Sequence, residues 1–219
     1  MSGIQQNFAY GRSFGFENGW PVANIGAAYG GGFFAGQINV LGVIYNLVIA
    51  PKASGEAAAG KTWGTYGAQT GVTSVINGPT NSATLAALGA DYQAAIFCED
   101  LTIGGYTDWY LPALNELEVL YYYLKPSTTA NDTAVGSNAN AVSPEPISTN
   151  YTSGSPAQTI SGIGFRLGET NAIRQSQYWT STQLNINFAW QQEFDSGGQN
   201  VSTKDNTSIW VRAVRRVLA

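Results

Sequence analysis

The sequence predicts an α+β domain. Two runs of β-branched and aromatic residues flank a glycine-containing turn between Phe33 and Ala50, which reads as an early hairpin. Two middle segments then place apolar residues at helical spacing. After Tyr178 the pattern returns to strand-like alternation, as in an antiparallel sheet with one dry face. A single core in a 219-residue chain buries roughly 70% of the unfolded surface, so one domain suffices. No repeat of 20 to 50 residues argues for a solenoid or propeller.

In chain order, residues 1–30 are rich in Gly, Asn and aromatics without a period of 2 or 3.6, and read as an extended N-terminal arm making assembly contacts. Five large apolar residues there (Phe8, Tyr10, Phe14, Phe16 and Trp20) are more than an isolated arm can cover, so another copy or another protein is expected to receive them. Residues 31–219 form the domain. Phe33–Ile38 and Val43–Ala50 are the hairpin strands, the second ended by Pro51, which has no N–H for a ladder. Residues 55–79, with frequent Gly and Thr, are loop with room for one short strand. Ala83–Leu101 reads as one helix capped by Asn81 or Ser82, with Leu85, Leu88, Tyr92, Ala95, Ile96 and Leu101 inward. Ala113–Leu124 is a second, with Pro112 in its first turn and a stripe of Leu114, Leu117, Leu120, Tyr121 and Leu124. Residues 127–160 are a long polar loop, of the kind that is functional or disordered. Strands follow at Tyr178–Thr182, Phe188–Phe194 and Ser208–Val217, with Trp190, Gln192 and Phe194 inward and Gln191, Glu193 and Asp195 outward.

Charged residues are only 11% of the chain and the formal net charge is -4, so the basic footprint of a nucleic-acid binder is missing. Without histidine there is no Ser-His-Asp triad, Cys-His dyad or His-containing zinc site. Cys98, the only cysteine, precludes an intrachain disulfide and sits in an apolar pattern as core filler. The first residues lack a basic segment followed by an apolar run, and no stretch approaches 18 apolar residues, so synthesis and folding in a cytoplasm without membrane insertion are expected.

Gly55-Glu56-Ala57-Ala58-Ala59-Gly60-Lys61-Thr62 satisfies the Walker A pattern, but the Trp63-Gly64-Thr65-Tyr66-Gly67 that follows is a poor helix, and a phosphate loop works through the helix N-terminus behind it. Nucleotide binding is not expected. Glu193 and Asp195, at i and i+2, have the spacing of a glycosidase pair, yet on a wet strand face nothing raises an acid's pKa. A calcium site from Asp195, Asp205 and loop carbonyls lacks the clustered Asp/Asn of an EF-hand, and no metal or cofactor is expected. Asn-X-Ser/Thr tripeptides at Asn131, Asn150 and Asn206 mark loops. Trp109, Trp179 and Trp190 lie in apolar patterns and are expected in the core; Trp20, Trp63 and Trp210 are candidates for solvent or a partner.

Three ordered blocks then carry a resemblance: Gly105-Tyr106-Thr107-Asp108-Trp109-Tyr110-Leu111-Pro112 with Asn115-Glu116-Leu117, then Tyr178-Trp179-Thr180-Ser181-Thr182, then Trp210-Val211-Arg212-Ala213-Val214-Arg215-Arg216. Together they resemble the DUF1566 (Lcl C-terminal) family, over about residues 30–217. The resemblance implies a C-type-lectin-like fold related to the formylglycine-generating enzymes. The segment from Gly32 through Glu56 is similar to a version common in structural proteins of tailed bacteriophages. Ala113 stands where relatives often have Ser or Thr, which removes the capping box with Glu116. The Glu-Pro-Asn and Trp-Asn-Asp motifs of calcium lectins are missing, as is the cysteine pair of the formylglycine enzymes.

What the resemblance implies is a non-enzymatic virion protein, in a tail fibre, baseplate or surface decoration. It would be a homo-oligomer that contacts other virion proteins and a host cell-surface glycan. A purely architectural subunit and a carboxylate-dependent enzyme of the same fold are the alternatives. Asn185, Asn187, Gln191, Glu193 and Trp210 are the candidate binding residues: four polar side chains on or before the late sheet, and one ring for a sugar to stack on.

Overall fold

The computed structural model describes residues 16–17, 20–21, 25–142 and 149–219. Most of the expected arm, with Phe8, Tyr10 and Phe14, lies outside them. Its described parts are a short antiparallel pair, β1 (Phe16–Glu17) with β2 (Trp20–Pro21), and residues 25–30, which join the domain: β3 (Ala28–Tyr29) pairs with β4 (Gly32–Val40), and Ile25 packs on the core.

The early hairpin is β4 with β5 (Val43–Ile49), closed by the two-residue turn Leu41-Gly42. Both turn residues have positive φ, 54° and 91°, as a hairpin turn matched to strand twist requires. A bulge lies between Phe34 and Gly36. Gly36 is needed there: at φ 125° it faces the fourth helix, and a Cβ would come within 2.7 Å of Val119 and 2.9 Å of Tyr123.

Four helices follow: α1 (Lys52–Gly55), α2 (Gly78–Ala87), α3 (Gln93–Glu99) and α4 (Leu114–Leu124). The single helix expected over Ala83–Leu101 is therefore two. It breaks at Gly89, whose φ of 115° no helix contains, and α2 begins earlier than expected because Pro79 fits its first turn. Leu88, at the break, is exposed. Asn81 and Ser82 do not cap; Asn81 donates to the Ser74 carbonyl and the Ser82 hydroxyl accepts the Leu111 N–H.

Helix α4 begins at Leu114, so Pro112 precedes it. Half of a capping box survives: Glu116 Oε2 accepts the Ala113 N–H at 2.8 Å. Thr182 Oγ1 accepts the Leu114 N–H at 3.1 Å and supplies what an Ala side chain lacks. The expected stripe is buried, and so are Glu116 and Glu118 on other faces, because α4 packs against β4 on one side and the late sheet on another.

The late sheet is β6 (Gln177–Gln183), β7 (Phe188–Glu193) and β8 (Gln199–Thr203), in that order and antiparallel. The sequence pattern missed β8, a polar edge strand. The final segment also divides. Trp210 bridges in parallel to Tyr178 beside β6, whereas β9 (Val214–Leu218) leaves that sheet and pairs with β5, giving the order β3-β4-β5-β9. The C-terminal segment thus ties the two sheets together.

The core has two clusters. One, around α4, holds Leu117 and Leu120; the other, between α2, α3 and the C-terminal segment, holds Trp109, Trp179, Val211, Ala213 and the fully buried Cys98. All are buried as expected. Trp63 is fully buried too, which corrects its assignment to the surface: its indole N–H donates to the Thr180 carbonyl at 2.7 Å. Trp190 is only half-buried.

The described part of the 127–160 loop is pinned rather than loose. Asn131 is its hub: Oδ1 accepts from Tyr121 and Lys125 at 2.6 Å each, and Nδ2 donates to the carbonyls of Thr152 and Pro156. This buried amide is spent on the fold.

Candidate functional site

The three signature blocks meet in space, and their polar side chains are engaged with one another. Arg215 forms a bidentate pair with Asp108, Nε to Oδ1 at 2.7 Å and Nη2 to Oδ2 at 2.9 Å, while its guanidinium lies 3.8 Å from the Tyr106 ring centre. Arg212 Nη1 and the Tyr178 hydroxyl donate to Glu56 Oε2, and Arg174 donates to Oε1. Glu56 is 2% exposed and Arg212 1%, so this is a buried ionic knot. Glu116 accepts from Tyr110 and lies 3.6 Å from Arg216. The motif therefore encodes scaffold.

Two of the buried acids have strongly altered acidity. Burial pushes Glu116 and Glu118 up to about 7, opposed at Glu116 by the Ala113 N–H and Arg216, and at Glu118 by the Tyr151 hydroxyl and the Asn138 amide. A folded pKa above the unfolded 4.5 means that the native state holds the proton more tightly. Its contribution is complete below pH 4.5 and is lost as pH rises through 7. Glu118→Gln removes the charge and keeps the shape. We expect the wild-type unfolding free energy to drop between pH 5 and pH 8, by at most about 3 kcal/mol for this group, and the variant to show a shallower drop in parallel denaturation curves. Identical slopes would show that Glu118 does not titrate there.

The five residues singled out on the late sheet do not converge. Asn185 is exposed in the β6–β7 turn, where Oδ1 accepts the N–H groups of Asn187 and Phe188. Glu193 lies at the far end of β7, six residues from Asn187 or about 20 Å along a strand. There it accepts from Asn200 and Ser196. Gln191 is not on a wet face; it is 7% exposed. β7 is the central strand, with Trp179 and Asn200 opposite Gln191, and both its faces are covered, so alternation misplaces one of them. Trp210 sits on the other side of β6, half-buried, with the Arg174 guanidinium 4.0 Å from its ring centre.

A different group does converge. Thr62, Gly64, Thr65, Tyr66, Asp91, Gln93 and Asp205 line an open cleft of about 350 Å³. Its floor is cross-tied. The N–H groups of Trp63 and Gly64 both donate to the Lys204 carbonyl, the Thr62 hydroxyl donates to the Asp91 carbonyl, and the Ala94 N–H donates to the Thr62 carbonyl. Gly64 is obligatory, since a Cβ would lie 2.3 Å from the Tyr92 ring. The Thr65 hydroxyl orients Asp91 through Oδ2 at 2.8 Å. Beneath the floor Lys204 is fully buried, donates to the Ala68 carbonyl, and is pushed down to about 8 by burial. Sequence reading missed this cleft because three distant segments build it.

The Walker-like segment is not a phosphate loop. Gly55 ends α1, no helix follows Thr62 before α2, and Gly60 packs with the place of its absent Cβ 2.2 Å from the Thr207 carbonyl oxygen. Among the described residues no group of three or more His, Cys, Asp or Glu is arranged to hold a metal, and no helix is long and apolar enough to cross a membrane.

No curated protein matches the chain. Residues 58–215 match the family model of the Lcl C-terminal domain. The match spans most of the chain, including the cleft and the signature blocks up to Arg215, and the chain belongs to that family.

Proposed function

We propose that this Lcl C-terminal domain protein is a non-enzymatic attachment subunit of a tailed-bacteriophage virion, and that its two sheets and four helices are a C-type-lectin-like scaffold. The division of labour among its polar groups carries this reading. The charged groups of the signature are already engaged within the protein, Arg212 buried on Glu56, Arg216 beside the buried Glu116 and Arg215 on the exposed Asp108, while the open cleft presents neutral and acidic side chains that are exposed to solvent. That suits recognition by hydrogen bonding better than chemistry requiring a perturbed acid beside a base. The low charge of the chain suits a glycan partner and disfavours nucleic acid.

The test uses the purified full chain. It should bind intact host cells saturably, be competed off by the extracted surface glycan and be indifferent to DNA, and antibodies to it should label intact virions. Presence in the virion without any attachment makes the subunit architectural. Release of reducing sugar from the glycan makes it a carboxylate enzyme instead.

A further inference from the structure

We propose that the cleft between residues 62–66, residues 91–93 and Asp205 is a subsite for a neutral saccharide unit. This rests on the attachment reading and places its ligand contact away from the late-sheet row. A neutral sugar offers an apolar C–H face and pairs of adjacent hydroxyls. Its recognition needs an exposed ring and planar polar groups that exchange hydrogen bonds with those hydroxyls. The cleft has both. Tyr66 is 53% exposed, beside Gly67 where an added Cβ would meet only open space, so about half of its surface is available to a ligand.

Asp91, Gln93 and Asp205 are exposed at the cleft, and among the described residues neither Gln93 nor Asp205 spends a side-chain hydrogen bond on the protein itself. Asp91 is held through Oδ2 by Thr65, which aims the carboxylate at no net loss of acceptor capacity on Oδ1. The volume falls at the lower end of the ~300–1,000 Å³ range of small-molecule sites, room for one or two sugar rings.

Charge sets the class. Two carboxylates and no Lys or Arg line the cleft, so sialylated, uronic or phosphorylated sugars meet like charge without a compensating cation. The cross-tied floor means that little ordering entropy is lost when a ligand enters.

The experiment is titration of neutral and acidic oligosaccharides into the full chain by calorimetry, with host-cell attachment measured in parallel. Tyr66→Ala should weaken binding of the neutral set about tenfold and Asp205→Asn by a comparable factor, whereas Tyr66→Phe, which keeps the ring, should stay within about twofold. All three should leave the thermal midpoint unchanged, since both side chains face solvent. A preference for acidic sugars, or unaltered affinity in Tyr66→Ala and Asp205→Asn, overturns the subsite. If those variants still attach to cells while Trp210→Ala does not, the attachment reading survives and the contact lies elsewhere. If the wild-type chain attaches to nothing, both fall.

Discussion

Replacing Arg212 by alanine is expected to cost about 3–5 kcal/mol in unfolding free energy, enough to bring a domain of this size near its stability limit. The guanidinium is 1% exposed and has three directions of attachment: Nε donates to the Ala50 carbonyl at 2.8 Å, Nη1 to Glu56 at 3.1 Å, and Nη2 approaches the Asn171 carbonyl at 3.5 Å. It thereby joins the end of β5, the end of α1 and the 169–173 loop to the C-terminal segment. Alanine removes all three and leaves the Glu56 carboxylate, itself 2% exposed, with Arg174, Tyr178 and the more distant Lys52. The loss therefore exceeds one hydrogen bond, because the remaining carboxylate keeps its desolvation cost with less compensation. Arg212→Lys should recover only part of it, since an ammonium lacks the guanidinium fork. Urea denaturation of the two variants and of Glu56→Ala, closed as a cycle with the double variant, measures the coupling. A loss under about 1 kcal/mol for Arg212→Ala would mean that water enters and solvates the knot.

The fold was legible where one local pattern decides it. Phe33–Ala50 has the length, β-branching and turn of a hairpin, and the Leu114–Leu124 stripe has helical spacing; both are found with nearly the expected ends. The misses are places where tertiary context decides. Residues 208–217 look like one strand, yet Trp210 bridges to the late sheet and Val214–Leu218 pairs with β5, a choice no periodicity encodes. Glu116 and Glu118 lie off the apolar stripe of their helix and are buried all the same, because partners for them arrive from residues 110, 138, 151 and 216. Gln191 reads as exposed because alternation assumes one covered face, and β7 has two. The cleft was invisible for the same reason as the ionic knot around Glu56. Each joins residues more than 100 apart in the chain, Gln93 with Asp205 and Glu56 with Arg174, and no single segment carries a motif for it. The Asp108–Arg215 and Glu116–Arg216 contacts hold two of the family blocks, distant in sequence, together in space.

Trp63→Ala is expected to be as damaging, about 3–5 kcal/mol, and to act on the proposed saccharide subsite as well. Trp63 has no exposed surface, packs edge-on against Tyr92 with ring centres 6.3 Å apart, and lies 5.0 Å from the Lys204 ammonium. Its loss opens a cavity under the cleft, strands the Thr180 carbonyl on β6 and removes the ring that faces a buried cation. Trp63→Phe separates these effects. It refills much of the volume and keeps a ring but no N–H, so it should cost about 1–3 kcal/mol, the price of one buried unpaired carbonyl plus a smaller void. Because the backbone N–H groups of Trp63 and Gly64 share the Lys204 carbonyl, collapse of this layer moves Thr65 and Tyr66 against Asp205. Neutral saccharide binding should then fall in Trp63→Ala even under conditions where the domain is still folded, while exposed Tyr66→Ala loses binding with no change in stability. Equal unfolding free energies for wild type and Trp63→Ala would show that Trp63 is not the support beneath the cleft and would detach the rigidity of that site from the core.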